Sequence, residues 1–176
     1  MSLRTRSLPV RILIALVACY STWLGMMLVH ELGHIVGAWL TGGRVISVSI
    51  PPLGFSQTII HPNPYELVVV WCGPALGTLI PLLVLLIWLS ANRRKAPEVL
   101  KFFTGFCAIA NGAYIGLGWL RHAGDAGDMM RLGTPVSAMS IFGVACFIIG
   151  LICWHKTAAL TAAYWKSDRL VDPHPP

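Results

Sequence analysis

The chain has 176 residues, 56% of them hydrophobic and 11% charged, and its mean hydropathy is +0.70. A soluble domain carries about 25% charged residues, and one of this size has no core large enough to hide so much apolar side chain. The net charge of +6 sits in short basic clusters between apolar runs, which is the pattern of membrane-flanking charge and not of a nucleic-acid-binding surface.

The first apolar run spans Val10 to Leu40. It is too long for the apolar region of a secretory signal and long enough for a transmembrane helix, which needs about 20 residues. Within it lies His30-Glu31-Leu32-Gly33-His34. Residues four apart share one face of an α-helix, so His30 and His34 can both reach one tetrahedral Zn²⁺ at about 2.0–2.1 Å. Glu31, on a neighbouring face, is placed to take a proton from a zinc-bound water. The bland reading is a helix cap or a polar contact between helices. Ionisable groups inside membrane helices are costly and usually functional, and the chain holds only six His and three Glu. The run continues from Ile35 to Leu40, so the motif lies roughly 10 Å short of the helix end, at a submerged depth.

Gly42-Gly43 reads as a helix stop. Arg44 to Ile50 then alternates as a strand does, with Val45 and Ile46 blurring the start. Pro51-Pro52-Leu53-Gly54 is a turn and Phe55 to Ile60 a return strand. The pattern predicts a short β-hairpin, the alternative being an irregular interfacial loop. Further apolar runs follow at Leu67 to Leu89, Phe102 to Leu120 and Val136 to Trp154, each of membrane-spanning length. Gly73, Pro74, Pro81, Gly112 and Gly116 lie inside them, where membranes tolerate such residues and close packing uses them. The expected fold is therefore an all-α polytopic membrane protein with four transmembrane helices and a hairpin between the first two. Residues 1–160 form the membrane domain and 161–176 a C-terminal tail, disordered at its Pro173–Pro176 end.

Cys19, Cys72, Cys107, Cys146 and Cys153 all fall in apolar runs without Cys-x-x-Cys spacing. They read as small buried hydrophobes and not as disulfides or zinc ligands. Arg4, Arg6 and Arg11 precede the first helix, Arg93, Arg94, Lys95 and Lys101 separate the second and third, and Lys156, Lys166 and Arg169 follow the fourth. Only Arg44, Arg121 and Arg131 lie on the other side. The excess places both termini in the cytoplasm, in a multi-pass protein of the cell membrane.

A catalytic zinc keeps three protein ligands and an open position. Helix parity puts His122 to Arg131 on the same side as the end of the first helix. Asp125 and Asp128 are the leading candidates for the third ligand, ahead of His61, Glu66 and His122. Either aspartate could instead cap a turn or a helix.

These residues resemble the site-2 protease family of intramembrane zinc metallopeptidases. The resemblance rests on His30 to His34 in the first long helix, Gly42-Gly43-Arg44, the hairpin, Gly73-Pro74-Ala75 early in the second helix, and the spacing of Asp128 and Arg131. It covers about residues 10 to 135. It implies Zn²⁺ held by His30, His34 and Asp128, with Asp125 as the alternative, Glu31 as the catalytic base, and Asn111 as a substrate contact. The implied reaction is hydrolysis of a peptide bond of a membrane protein or peptide, in or beside the bilayer, with the hairpin edge holding the unwound substrate by strand addition. The hairpin residues 55 to 60 serve equally well as simple interfacial packing. Two other classes compete. A zinc-binding scaffold or assembly factor needs no Glu31, and a small transporter subunit should show inverted repeats, of which the sequence has none. Nothing in the sequence speaks to oligomeric state.

Overall fold

The computed structural model describes residues 7–91 and 96–171, with side chains described as far as residue 155. The basic residues Arg4, Arg6, Arg93, Arg94 and Lys95, and the Pro173–Pro176 end, lie outside the described residues. Chain order is α1 (Leu8–Thr41), β1 (Val45–Ser49), β2 (Gln57–Ile60), α2 (Glu66–Ala91), α3 (Glu98–Gly118), α4 (Gly124–Arg131) and α5 (Val136–Val171). Among the described residues, four helices are long and apolar enough to cross a membrane: α1, α2, α3 and the Val136–His155 part of α5. The chain is thus a multi-pass helical membrane protein with a small antiparallel sheet, as its sequence predicts. Its exposed surface carries rows of large apolar side chains, among them Leu13 and Leu16 on α1 and Phe147 and Leu151 on α5. Lipid is the solvent that such faces suit.

The fold divides into two compact units, with the boundary between Gly77 and Thr78 inside α2. In the first unit, α1 begins with Pro9 in its opening turn, where a missing N–H costs nothing. It ends at Gly42, whose φ of 76° is left-handed, and the Gly43 N–H donates to the Ala38 carbonyl at 2.8 Å. A side chain at 42 would have open space. The backbone conformation is what selects glycine there.

The hairpin forms as the alternation predicts, and the blurred start has a physical cause. Val45 pairs with Ile60 but Ser47 pairs with Ile59, so a β-bulge falls between Val45 and Ser47. The bulged Ile46 breaks the period of two. The return strand is shorter than the expected 55–60, because Phe55 leaves the ladder and meets Trp23 of α1 edge-on, with ring centroids 6.2 Å apart. Tyr20 of α1 donates to the Pro52 carbonyl at 3.1 Å. The connection of the hairpin therefore folds back along α1.

In the second unit, α3 and α5 pack along small residues. A side chain at Gly116 would strike the Gly143 backbone, one at Gly112 the Cys146 side chain, and one at Gly105 the Trp154 ring. Close approach of this kind is how membrane helices gain van der Waals contact without a hydrophobic driving force. Trp154 stacks on Phe102 with centroids 5.7 Å apart and donates to its carbonyl at 3.1 Å. Thr104 donates to the Pro81 carbonyl at 3.2 Å, which engages the backbone of α2 beside an internal proline. The short helix α4 is additional to the four helices that the sequence predicts. The Asp125 N–H donates to the Tyr114 hydroxyl of α3 at 3.0 Å and ties its first turn down.

Candidate metal centre

The centre grows from the helical repeat of α1. His30, Glu31 and His34 are all buried, at 7%, 2% and 6% exposure. One ligand atom from each lies within 4.8 Å of the others. The two Nε2 atoms are 3.2 Å apart, and the rings meet at 78°. Two nitrogens bound at about 2.0–2.1 Å to one tetrahedral ion stand about 3.3–3.4 Å from each other. The pair therefore has the spacing of a chelate, and two imidazoles beside a carboxylate are a donor set that suits zinc.

The second helix of the unit sets the orientation. The His34 Nδ1–H donates to the Val69 carbonyl of α2 at 2.9 Å. That bond fixes the tautomer and leaves the Nε2 lone pair for a metal, as outer hydrogen bonds to metal-binding histidines commonly do. The ring fits because two glycines let the helices close. A side chain on Gly33 would overlap the Cys72 carbonyl, and one on Gly73 would overlap the His34 ring at Cε1 and Nε2. Gly73 therefore has a local physical role: its missing side chain is the space in which the imidazole stands.

Glu31 has a partner that the sequence reading missed. Thr58 of β2 donates its hydroxyl to Glu31 Oε2 at 2.5 Å. The only available signal was a polar residue one place along the alternating return strand, too weak to distinguish from interfacial packing.

The remaining candidates lie in the second unit, apart from His61 and Glu66. Asn111 is buried in α3, and its Nδ2–H donates to the Cys107 carbonyl at 2.9 Å. Asp128 and Arg131 share α4 and form an i,i+3 ion pair at 3.2 Å, both about half exposed. Their spacing thus has a local helical reason beside the family one. Asp125 lies in the first turn of α4, where its N–H meets the Tyr114 hydroxyl. His61 and His122 are exposed. Glu66 opens α2, where a carboxylate suits the helix dipole.

The sequence model of the family described as Peptidase M50B-like matches residues 10–115. That stretch includes the His-Glu-His group, the hairpin and the start of α2. No curated protein and no solved structure gives a match.

Proposed function

We propose that this chain, which belongs to the Peptidase M50B-like family, is an intramembrane zinc metalloendopeptidase acting on membrane proteins or peptides. The observation that carries the reading is the buried pair of Nε2 atoms 3.2 Å apart beside the Glu31 carboxylate, on a helix able to span a membrane. His30 and His34 would hold the ion. When bound, Zn²⁺ supplies an acidified water near neutral pH and polarises the scissile carbonyl. Glu31 takes the proton of the attacking water and delivers it to the leaving amide nitrogen. The buried walls around it exclude competing water. The substrate helix must unwind to present its backbone. The outer edge of β2 carries no further strand among the described residues, which supports capture by strand addition.

The third ligand is proposed as Asp128, with Asp125 as the alternative and Asn111 as a substrate contact. This assignment rests on the sequence resemblance. Zinc analysis and cleavage assays on purified protein test it together with the reaction. About one Zn²⁺ per chain is expected. Chelation should abolish cleavage of a transmembrane peptide and zinc should restore it. Asp128→Ala should lose the ion, and Asp125→Ala should cost roughly 10–100-fold in activity. Cleavage that survives full chelation refutes the metallopeptidase reading. Zinc lost only from Asp125→Ala exchanges the roles of the two aspartates.

The charge distribution supports a cell-membrane protein with both termini in the cytoplasm and the hairpin on the opposite side. Reporters fused at each terminus should read cytoplasmic, and one inserted at Ile60 should not. A cytoplasmic reading at Ile60 would invert the orientation.

A further inference from the structure

We infer that Thr58 is the positioning residue for Glu31, and that the hairpin is thereby part of the reaction machinery and not only a substrate edge. The inference rests on the reading of Glu31 as the proton carrier.

The argument starts from the strand. Along β2, Gln57 and Ile59 are exposed while Thr58 and Ile60 are partly covered, so Thr58 faces inward by the period of two. Its hydroxyl donates to Glu31 Oε2. Glu31 is 2% exposed, and a buried carboxylate without donors is costly. A carboxylate has two oxygens and can rotate about its last bond, a soft torsion. One donor on Oε2 removes that freedom, so the carboxylate is held at one angle beside the His30–His34 pair, with Oε1 left to receive the proton. Geometry of this kind, held in advance, is what proton transfer requires.

The register that places Thr58 is itself pinned. Thr58 pairs with Val48, and Ser49 with Gln57, beyond the bulge at Val45/Ser47. A slip of one residue would turn Thr58 outward and bring a neighbour to the carboxylate. At the base of the hairpin, the His61 N–H donates to the Arg44 carbonyl at 2.8 Å and the Arg44 N–H to the Pro62 carbonyl at 3.1 Å. At its far end, Tyr20 and Trp23 hold the connection to α1. Both ends of the hairpin are thus fastened, and the threonine is fixed between them.

The test uses the full chain with Thr58→Val, which keeps the shape and the strand preference, and Thr58→Ser, which keeps the hydroxyl. Thr58→Val should lower kcat by about 10–100-fold, the usual effect of an outer hydrogen-bond partner, with KM and zinc content unchanged. Thr58→Ser should recover most of that loss. A second readout needs no activity. In metal-free protein, Thr58→Val should lower Tm by on the order of 5 °C, because it leaves a buried carboxylate without its donor. In a Glu31→Ala background the same substitution should leave Tm unchanged. Equal Tm losses in both backgrounds, or a Thr58→Ser variant as slow as Thr58→Val, would overturn the inference. So would a rise in activity on removing the hydroxyl. Should the wild-type chain show no zinc-dependent cleavage, the peptidase reading fails by itself, and the Tm cycle still decides whether Thr58 holds Glu31.

Discussion

Glu31→Gln is expected to keep about one zinc per chain while peptidase turnover falls by about 10²–10⁴-fold, the range that general acid–base catalysis supplies. The amide has nearly the shape of the carboxylate, and its oxygen can still accept the Thr58 hydroxyl. It cannot take a proton from water at neutral pH. The two imidazoles and the Val69 carbonyl bond to His34 are untouched by the change, so the ion has no reason to leave. Zinc content, folding and substrate affinity should therefore match the wild type, with the loss confined to kcat. A variant that cleaves at wild-type speed would remove Glu31 from the reaction. A variant that loses its zinc would make Glu31 a ligand instead of a proton carrier, which its ligand-atom distance to the histidines also allows.

Gly73→Val is expected to lose stoichiometric zinc as completely as His34→Ala, although residue 73 has no side chain to contribute. The volume of the imidazole is the reason. Any Cβ at 73 overlaps the His34 ring at the carbon and nitrogen that face the metal position. The ring must rotate or α1 and α2 must separate. Either movement breaks the Nδ1–H bond to Val69 and spoils the 3.2 Å spacing of the two Nε2 atoms. Overpacking a tight site costs about 1–3 kcal/mol, which a chain of four spans can bear while a chelate loses its geometry. The variant should thus retain its helical circular dichroism and elute as the wild type does, yet bind little zinc and cleave nothing. Full zinc occupancy in Gly73→Val would show that the cradle yields, and that the close approach serves packing alone.

These two expectations draw on different levels of information. The sequence by itself determined the spans, because about 20 apolar residues in a row have one favourable solvent. It determined the pairing of the two histidines as well, since an i,i+4 spacing puts His30 and His34 on one face of any α-helix. The stop at Gly42 and the hairpin are equally local, written in a left-handed backbone position and a period of two. The bulge that blurs that period is harder to read, because the choice of which residue to leave unpaired belongs to both strands together. Helix α4 leaves little mark in the sequence, for a local reason of its own. Eight residues with glycines at 124 and 127 are too few and too weak in helix propensity to show a period.

Only the tertiary structure decided what surrounds the pair. The Val69 carbonyl, the space at Gly73 and the Thr58 hydroxyl reach the motif from 35, 39 and 27 residues away in sequence. Their arrival depends on how closely α1 and α2 approach and on the register of β1 against β2. A carbonyl leaves no trace in composition, a glycine that makes room looks like any other membrane glycine, and one threonine in a strand looks like interfacial packing. Helix periodicity places two donors on a face because it is fixed by bonds along one chain segment. The tautomer of His34 and the orientation of Glu31 are fixed by contacts between segments, which the folded arrangement alone specifies.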